Sequence, residues 1–192
     1  MVRSALIVVD VQVDFCPGGT LQVQNGDEVV PVLNRCLAHF EHQGLPIALT
    51  QDFHPANHAS FSAQGGPWPP HCVQGTVGVD FHPDLLVPAS AEIFRKGTDP
   101  RYDAYSGFQA RDARGLLLEQ WLRQHEVNHL FVGGLATDYC VQATVLDGLG
   151  AGFAVTVLQA AIRGVNVHPG DSEEALVKMV ANGAQVLSQY PF

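Results

Sequence analysis

Three reactive side chains stand at places where a strand should end and a loop begin: Asp10, Lys96 and Cys140. Asp10 closes the apolar run 5–9, Lys96 follows 91–95, and Cys140 comes shortly after 129–132. A cysteine in the first turn of a helix has backbone N–H groups and the positive end of the helix dipole beside it, which favour thiolate. A nearby lysine lowers its pKa further by stabilising the anion. A carboxylate within hydrogen-bond reach can take the thiol proton and return it to a departing amine. Together the three suit hydrolysis of an amide through a covalent intermediate. Taken singly each has a plainer use: a turn former, a small buried hydrophobe, a solvated cation.

A second set of polar residues has the composition of a metal site. Residues 50–61 read TQDFHPANHASF, and 69–72 read PPHC. Asp52 and His54 are two apart on an extended segment and so project to one side. His71 returns from the same long loop. One carboxylate with two or three imidazoles suits zinc, iron or manganese, and leaves positions open for water or substrate. Asp-x-His alone is a weak signal, because loop histidines are commonly solvated.

The elements that must carry these residues alternate in type. Strand-length apolar runs fall at 5–9, 46–50, 91–95, 129–132, 153–158 and 184–187. Helical patterns fall between them. Asp27 to Gln43 has Asp27 as a cap, Pro31 in its first turn and Gly44 as its stop. Asp112 to Gln124 presents Leu116, Leu117, Trp121 and Leu122 inward. Thr137 caps a helix to about Leu149, and Gly170 to Asn182 forms the last. Strands joined by crossover helices predict a three-layer α/β/α domain around a six-stranded, mostly parallel sheet. A single domain over 1–192 is expected, since no linker-like tract divides the chain. The long segments 10–26 and 52–90 both follow strands, on the edge where open α/β sheets bind ligands.

Composition narrows the partners. A net charge of −9, with no run of Lys or Arg, argues against nucleic acid or an anionic membrane. No stretch reaches the roughly 18 uninterrupted apolar residues of a membrane span, and Asp10 cuts short the first apolar run. The four cysteines, at 16, 36, 72 and 140, lack CxxC spacing and read as free thiols in a reducing compartment, with the cytoplasm as default. Small molecules and other subunits remain. His39, His42, His125 and His129 read as surface.

The wording of several segments is more specific than their chemistry. Gly133-Gly134-Leu135-Ala136-Thr137-Asp138-Tyr139-Cys140-Val141 resembles the nucleophile motif of the isochorismatase-like cysteine hydrolases. Asp10-Val11-Gln12-Val13-Asp14-Phe15 resembles that family's first signature, and Arg95-Lys96-Gly97-Thr98 its lysine loop. Asp103-Ala104-Tyr105-Ser106-Gly107-Phe108 continues in the same order, so the likeness covers nearly the whole chain. It implies Asp10, Lys96 and Cys140 as the catalytic triad. It also implies an oxyanion hole from the N–H groups of Ala136 and Cys140, with a cis peptide before Ala136.

The phrase Asp-x-His-Pro-Ala-Asn-His-x-Ser-Phe, followed by Trp-Pro-Pro-His-Cys-Val, resembles the metal site of nicotinamidases, which most other members lack. That likeness implies Asp52, His54 and His71 as ligands of one divalent transition metal, zinc first, with iron or manganese also suited. His58 matches a position that binds the metal in some relatives and is replaced by water in others. The implied substrate is nicotinamide, its ring nitrogen on the metal and its carboxamide beside Cys140. It would be hydrolysed through a thioester to nicotinic acid and ammonia, for NAD salvage, with pyrazinamide as a second substrate. Phe15, Leu21, Trp68 and Tyr105 match pocket-wall positions, and relatives often form homo-oligomers. The rivals are a sibling amidase that needs no metal and a non-catalytic α/β ligand-binding module. An isochorismatase proper would lack the cysteine.

Overall fold

In the computed structural model, which describes residues 2–188, the first apolar run forms strand β1, Ser4–Val9. Its side chains feed two cores: Ala5, Ile7 and Val9 enter one, Leu6 and Val8 the other. A strand covered on both faces has no polar face to alternate with, which is why its sequence is continuously apolar. Strands β2 (Ile47–Asp52), β3 (Glu92–Lys96), β4 (His129–Leu135), β5 (Ala154–Arg163) and β6 (Gln185–Leu187) join it in the order β3-β2-β1-β4-β5-β6. Every pairing is parallel.

Helix α1 (Val29–His42) covers one face through Leu33, Leu37 and Phe40. Helices α2 (Leu118–Gln124), α3 (Gln142–Gly150) and α4 (Asp171–Ala181) cover the other through Trp121, Leu122, Val145 and Met179. The expected three-layer architecture is therefore present. Strand order reverses at β1, with β2 on one side and β4 on the other. Parallel sheets leave a crevice beyond the carboxyl ends of their strands at such a reversal. Asp10 ends one wall of that crevice and the turn bearing Cys140 ends the other.

Several boundaries differ from the sequence reading. The helix expected from Asp112 begins only at Leu118. Asp112 instead accepts the N–H groups of Arg114 and Leu116 at 2.9 and 2.8 Å, closing a turn, and Gly115 has φ +84°. Arg111 meanwhile pairs with Arg95 beside β3. Strand β4 runs on through Gly133-Gly134 because Gly134, at φ +124°, passes against Val9 where a Cβ would lie 2.1 Å from its carbonyl oxygen. Thr137 does not cap α3: residues Thr137–Val141 form a π-helical turn ahead of it. Asp27 likewise lies in a 3-10 turn, and α1 starts at Val29 without a side-chain cap. Gly44, at φ +63°, stops α1 as expected.

The two long loops emerge on the crevice edge and hold each other. Val13 donates its N–H to Asp80 at 2.9 Å, and His82 donates to Val11 at 2.9 Å. His125 and His129, read as surface, have structural partners: Nδ1 of His125 meets the Trp121 carbonyl at 2.8 Å, and Nε2 of His129 meets Thr156 Oγ1 at 2.8 Å. All four cysteines are free and buried. Among the described residues, no helix is long and apolar enough to cross a membrane.

Candidate active site

The chain turns sharply after β1, with Asp10 at φ +48° and the Gln12 N–H returning to the Asp10 carbonyl at 2.8 Å. That turn tucks the carboxylate beneath the crevice, fully buried. Lys96, at the end of β3, reaches inward past β2 and is 1% exposed. Its ammonium lies 2.8 Å from Asp10 Oδ2 and 3.4 Å from Cys140 Sγ, and also bonds Asp52 Oδ1. The three residues predicted from opposite parts of the chain are thus brought together. Thr50 Oγ1 donates to Asp10 Oδ1 at 2.6 Å. Asp10 Oδ2 receives the Lys96 charge but no well-directed hydrogen bond, so it keeps a lone pair for a proton.

Protonation in this pocket follows from burial and from one shared cation. Burial raises the Asp10 pKa, the Lys96 charge pulls it back, and the Asp52 charge raises it again, for a net upward shift. Burial also opposes ionisation of Asp52, but Lys96 and His54 outweigh it and hold that carboxyl far below the usual range. Lys96 is locked as a cation: burial disfavours its charge, and the two carboxylates more than reverse this. The expected depression of the Cys140 thiol is not found. Burial pushes it well above 9.0, and Asp10 and Asp52 add to the rise that Lys96 opposes. The helix-terminus argument failed here because the thiol is desolvated and faces two carboxylates.

The proposed metal donors also converge. Single ligand atoms of Asp52, His54 and His71 all lie within 4.8 Å of one another. His54 Nδ1 meets the Gly97 carbonyl at 3.0 Å, and His71 Nδ1 meets the Pro69 carbonyl at 2.8 Å. A carbonyl only accepts, so each Nδ1 carries a proton and each Nε2 is the nitrogen left for a metal. Burial opposes charge on His54, but Asp52 raises its pKa, so a metal there would displace a proton from Nε2. A Cβ on Gly97 would lie 2.2 Å from the His54 ring, so glycine makes room for that orientation. Burial lowers the His71 pKa and keeps the ring neutral. Asp52 divides its oxygens, Oδ1 to Lys96 and Oδ2 toward His54 Nε2 at 3.6 Å. These residues fit a divalent metal with nitrogen and oxygen ligands. His58 stacks 4.1 Å from the His54 ring, but its nitrogens are taken by Ser60 Oγ at 2.7 Å and the Tyr102 carbonyl at 3.1 Å.

Cys140, Asp52 and His71 face one small cavity, and Phe15, Leu21, Trp68 and Tyr105 are among its walls. Trp68 Nε1 donates to Tyr105 Oη at 3.1 Å, fixing two of those walls against each other. Burial raises the Tyr105 pKa to about 12, so the phenol keeps its proton. Ala136 lines the same cavity, and the Leu135–Ala136 peptide is cis, as expected. Tyr139 and Val165 also form walls, and sequence reasoning missed both. Tyr139 stood inside the quoted nucleophile motif, but only the π-helical turn aims its ring 5.1 Å from Trp68. Val165 follows β5 and carried no local signal. Thr50 was hidden as an ordinary strand residue.

The isochorismatase domain model matches residues 4–190. The chain belongs to the isochorismatase family. Within that family it is 44% identical to the nicotinamidase of Escherichia coli strain K12, over 96% of this chain and 94% of that one. It superposes with a TM-score of 0.90 on the pyrazinamidase of Pyrococcus horikoshii solved in complex with zinc, at 43% identity over 97% and 99% of the two chains. PnC1 of L. infantum, solved in complex with nicotinate, superposes with a TM-score of 0.84 at 34% identity over 96% and 92%.

In this isochorismatase-family chain, a thiol, a carboxylate with elevated proton affinity and a trapped ammonium share one buried cleft. Such a set can attack an acyl carbon and shuttle one proton. The adjoining donors can hold a cation against the same cavity.

Proposed function

We propose that this chain is a metal-dependent nicotinamidase, hydrolysing nicotinamide to nicotinic acid and ammonia, with pyrazinamide as a second substrate. The observation that carries the reading is Asp52, whose one oxygen bonds Lys96 beside Cys140 and whose other faces the imidazole donors. That carboxylate links the candidate cation donors to Cys140 across one cavity. Nicotinamidase and pyrazinamidase relatives, and a relative solved with zinc, support it.

Asp52, His54 and His71 would hold the metal, zinc first and iron or manganese after it. When bound, the metal supplies a Lewis-acid anchor for the ring nitrogen of the substrate. Phe15 and Trp68 flank the ring and exclude water, and Leu21 and Tyr105 close the remaining walls. Cys140 is stored as the neutral thiol. Asp10 takes its proton through Oδ2 as the sulfur attacks the carboxamide carbon, and Lys96 steadies the charge that moves between them. The N–H groups of Ala136 and Cys140 receive the oxyanion. Asp10 passes the proton to departing ammonia, leaving a thioester on Cys140. It then activates the water that releases nicotinic acid. We further infer a single domain over 1–192 acting in NAD salvage in the cytoplasm, where four free, buried thiols stay reduced, and able to assemble with copies of itself.

The test is ammonia release from nicotinamide by the purified chain, before chelation, after it, and with metal restored. Loss on chelation and recovery with metal support the full reading. Turnover that survives thorough metal removal removes the role of Asp52, His54 and His71. No turnover with metal bound removes nicotinamide as substrate and favours a sibling amidase.

A further inference from the structure

The loop that begins with Asp10 carries two more buried polar residues at alternate positions, Gln12 and Asp14, neither facing the cavity. Strand β1 pairs β2 only as far as Val8 with Leu49, and the last backbone bond to it runs from the Asp10 N–H to Thr50 at 3.3 Å. Beyond that point the chain has turned away. The N–H and carbonyl of Asp52, which point toward the missing strand, would be buried without partners. Gln12 replaces the strand: its Oε1 accepts the Asp52 N–H at 2.8 Å, and its Nε2 donates to the Asp52 carbonyl at 2.8 Å. The second Nε2 hydrogen reaches the Val79 carbonyl at 2.8 Å, so both amide hydrogens are used with no exposure.

Asp14 does the corresponding work on the other donors. Its Oδ2 accepts the Cys72 N–H at 2.7 Å and its Oδ1 the Thr20 N–H at 3.2 Å. Cys72 in turn accepts the His54 N–H on its carbonyl at 3.0 Å, and His71 precedes it directly. One carboxylate therefore fixes Cys72, the residue that links the two imidazole donors. Gly78 leaves the space for it, since a Cβ there would lie 2.0 Å from Asp14 Oδ2.

We propose that Gln12 and Asp14 are positioning residues for the metal: they hold Asp52, His54 and His71 in register with Asp10 without ligating anything themselves. This rests on the metal-site reading above. Groups that orient ligands from behind commonly change metal affinity by about 10–100-fold. Misplacing the peptide at Cys72, or the one at Asp52, should open the donor triangle while leaving every donor present.

The experiment is zinc affinity by chelator competition, with melting temperature, for wild type, Gln12→Met, Asp14→Asn and Gly78→Ala. Val145→Ala serves as a control that loosens a distant core. Asp14→Asn and Gly78→Ala should each weaken zinc binding about tenfold or more, and Gln12→Met likewise. Val145→Ala should melt earlier with zinc affinity within about twofold of wild type. Should Asp14→Asn fail to fold, Gly78→Ala moves the same carboxylate with all donors intact. Variants that bind zinc as wild type does overturn the proposal, as does a control that loses as much affinity as they do. Wild type that binds no zinc, iron or manganese overturns the metal reading as well, so the two failures are distinct.

Discussion

The ammonium of Lys96 lies 3.4 Å from the sulfur of Cys140, yet the thiol is held neutral. The cation is already shared by Asp10 and Asp52, whose charges oppose a third anion in the same buried space. An acid whose pKa is raised stays protonated to higher pH, so the thiolate is absent throughout the neutral range. In metal-free protein, the ultraviolet thiolate signal of wild type minus Cys140→Ser should appear only above 9.0. A midpoint at or below that value overturns the assignment of a neutral resting thiol.

A neutral thiol makes catalysis depend on the proton acceptor. Asp10→Asn keeps the shape and the Thr50 contact but removes the base, and should lower kcat by about 10²–10⁴-fold. Cys140→Ala should give no turnover above the blank. Metal content should stay near wild type for Cys140→Ala, because the cysteine stands outside the donor triangle. Steady-state ammonia release with metal analysis of the same samples checks both.

The histidines should separate by their partners. His54→Ala and His71→Ala each remove a lone pair from the cluster and should lose most bound metal on dialysis. His58→Ala should retain close to one equivalent, because both of its ring nitrogens are already engaged by Ser60 and Tyr102. Metal loss from His58→Ala equal to that from His71→Ala would make it a ligand.

Tyr105→Phe removes the acceptor of the Trp68 indole while leaving the aromatic wall. A partly buried hydrogen bond of this kind contributes about 0.5–1.5 kcal/mol. The expected result is a several-fold rise in KM with kcat nearly unchanged, measured by initial rates against nicotinamide. A fall in kcat with constant KM would instead give the phenol a part in the chemistry.

Gly134→Ala should be among the most damaging single changes outside the cavity wall. Its Cβ would meet the Val9 carbonyl at 2.1 Å, at a φ of +124° that side chains rarely adopt. A loss of about 1–3 kcal/mol or more in denaturant unfolding is expected from overpacking alone. Unchanged stability would mean that the β1–β4 contact can part without cost.

The sequence by itself determined the layered α/β fold, because strand-length apolar runs and helical periodicity are local properties that both cores demand. It also singled out Asp10, Lys96, Cys140 and the candidate metal donors, since their neighbours are written in short motifs. The late start of α2, the π-helical turn and the run of β4 through its glycines came from tertiary contacts: the Arg95–Arg111 pairing and the close pass of Gly134 against Val9. Only tertiary structure could decide that Cys140 rests as a thiol, because the sign depends first on how deeply the sulfur is buried and then on the carboxylates that share Lys96. Nor could spacing assign Gln12 and Asp14 a task. Their partners, Asp52 and Cys72, lie 40 and 58 residues away, and it is the early end of β1 that leaves Asp52's backbone in need of Gln12.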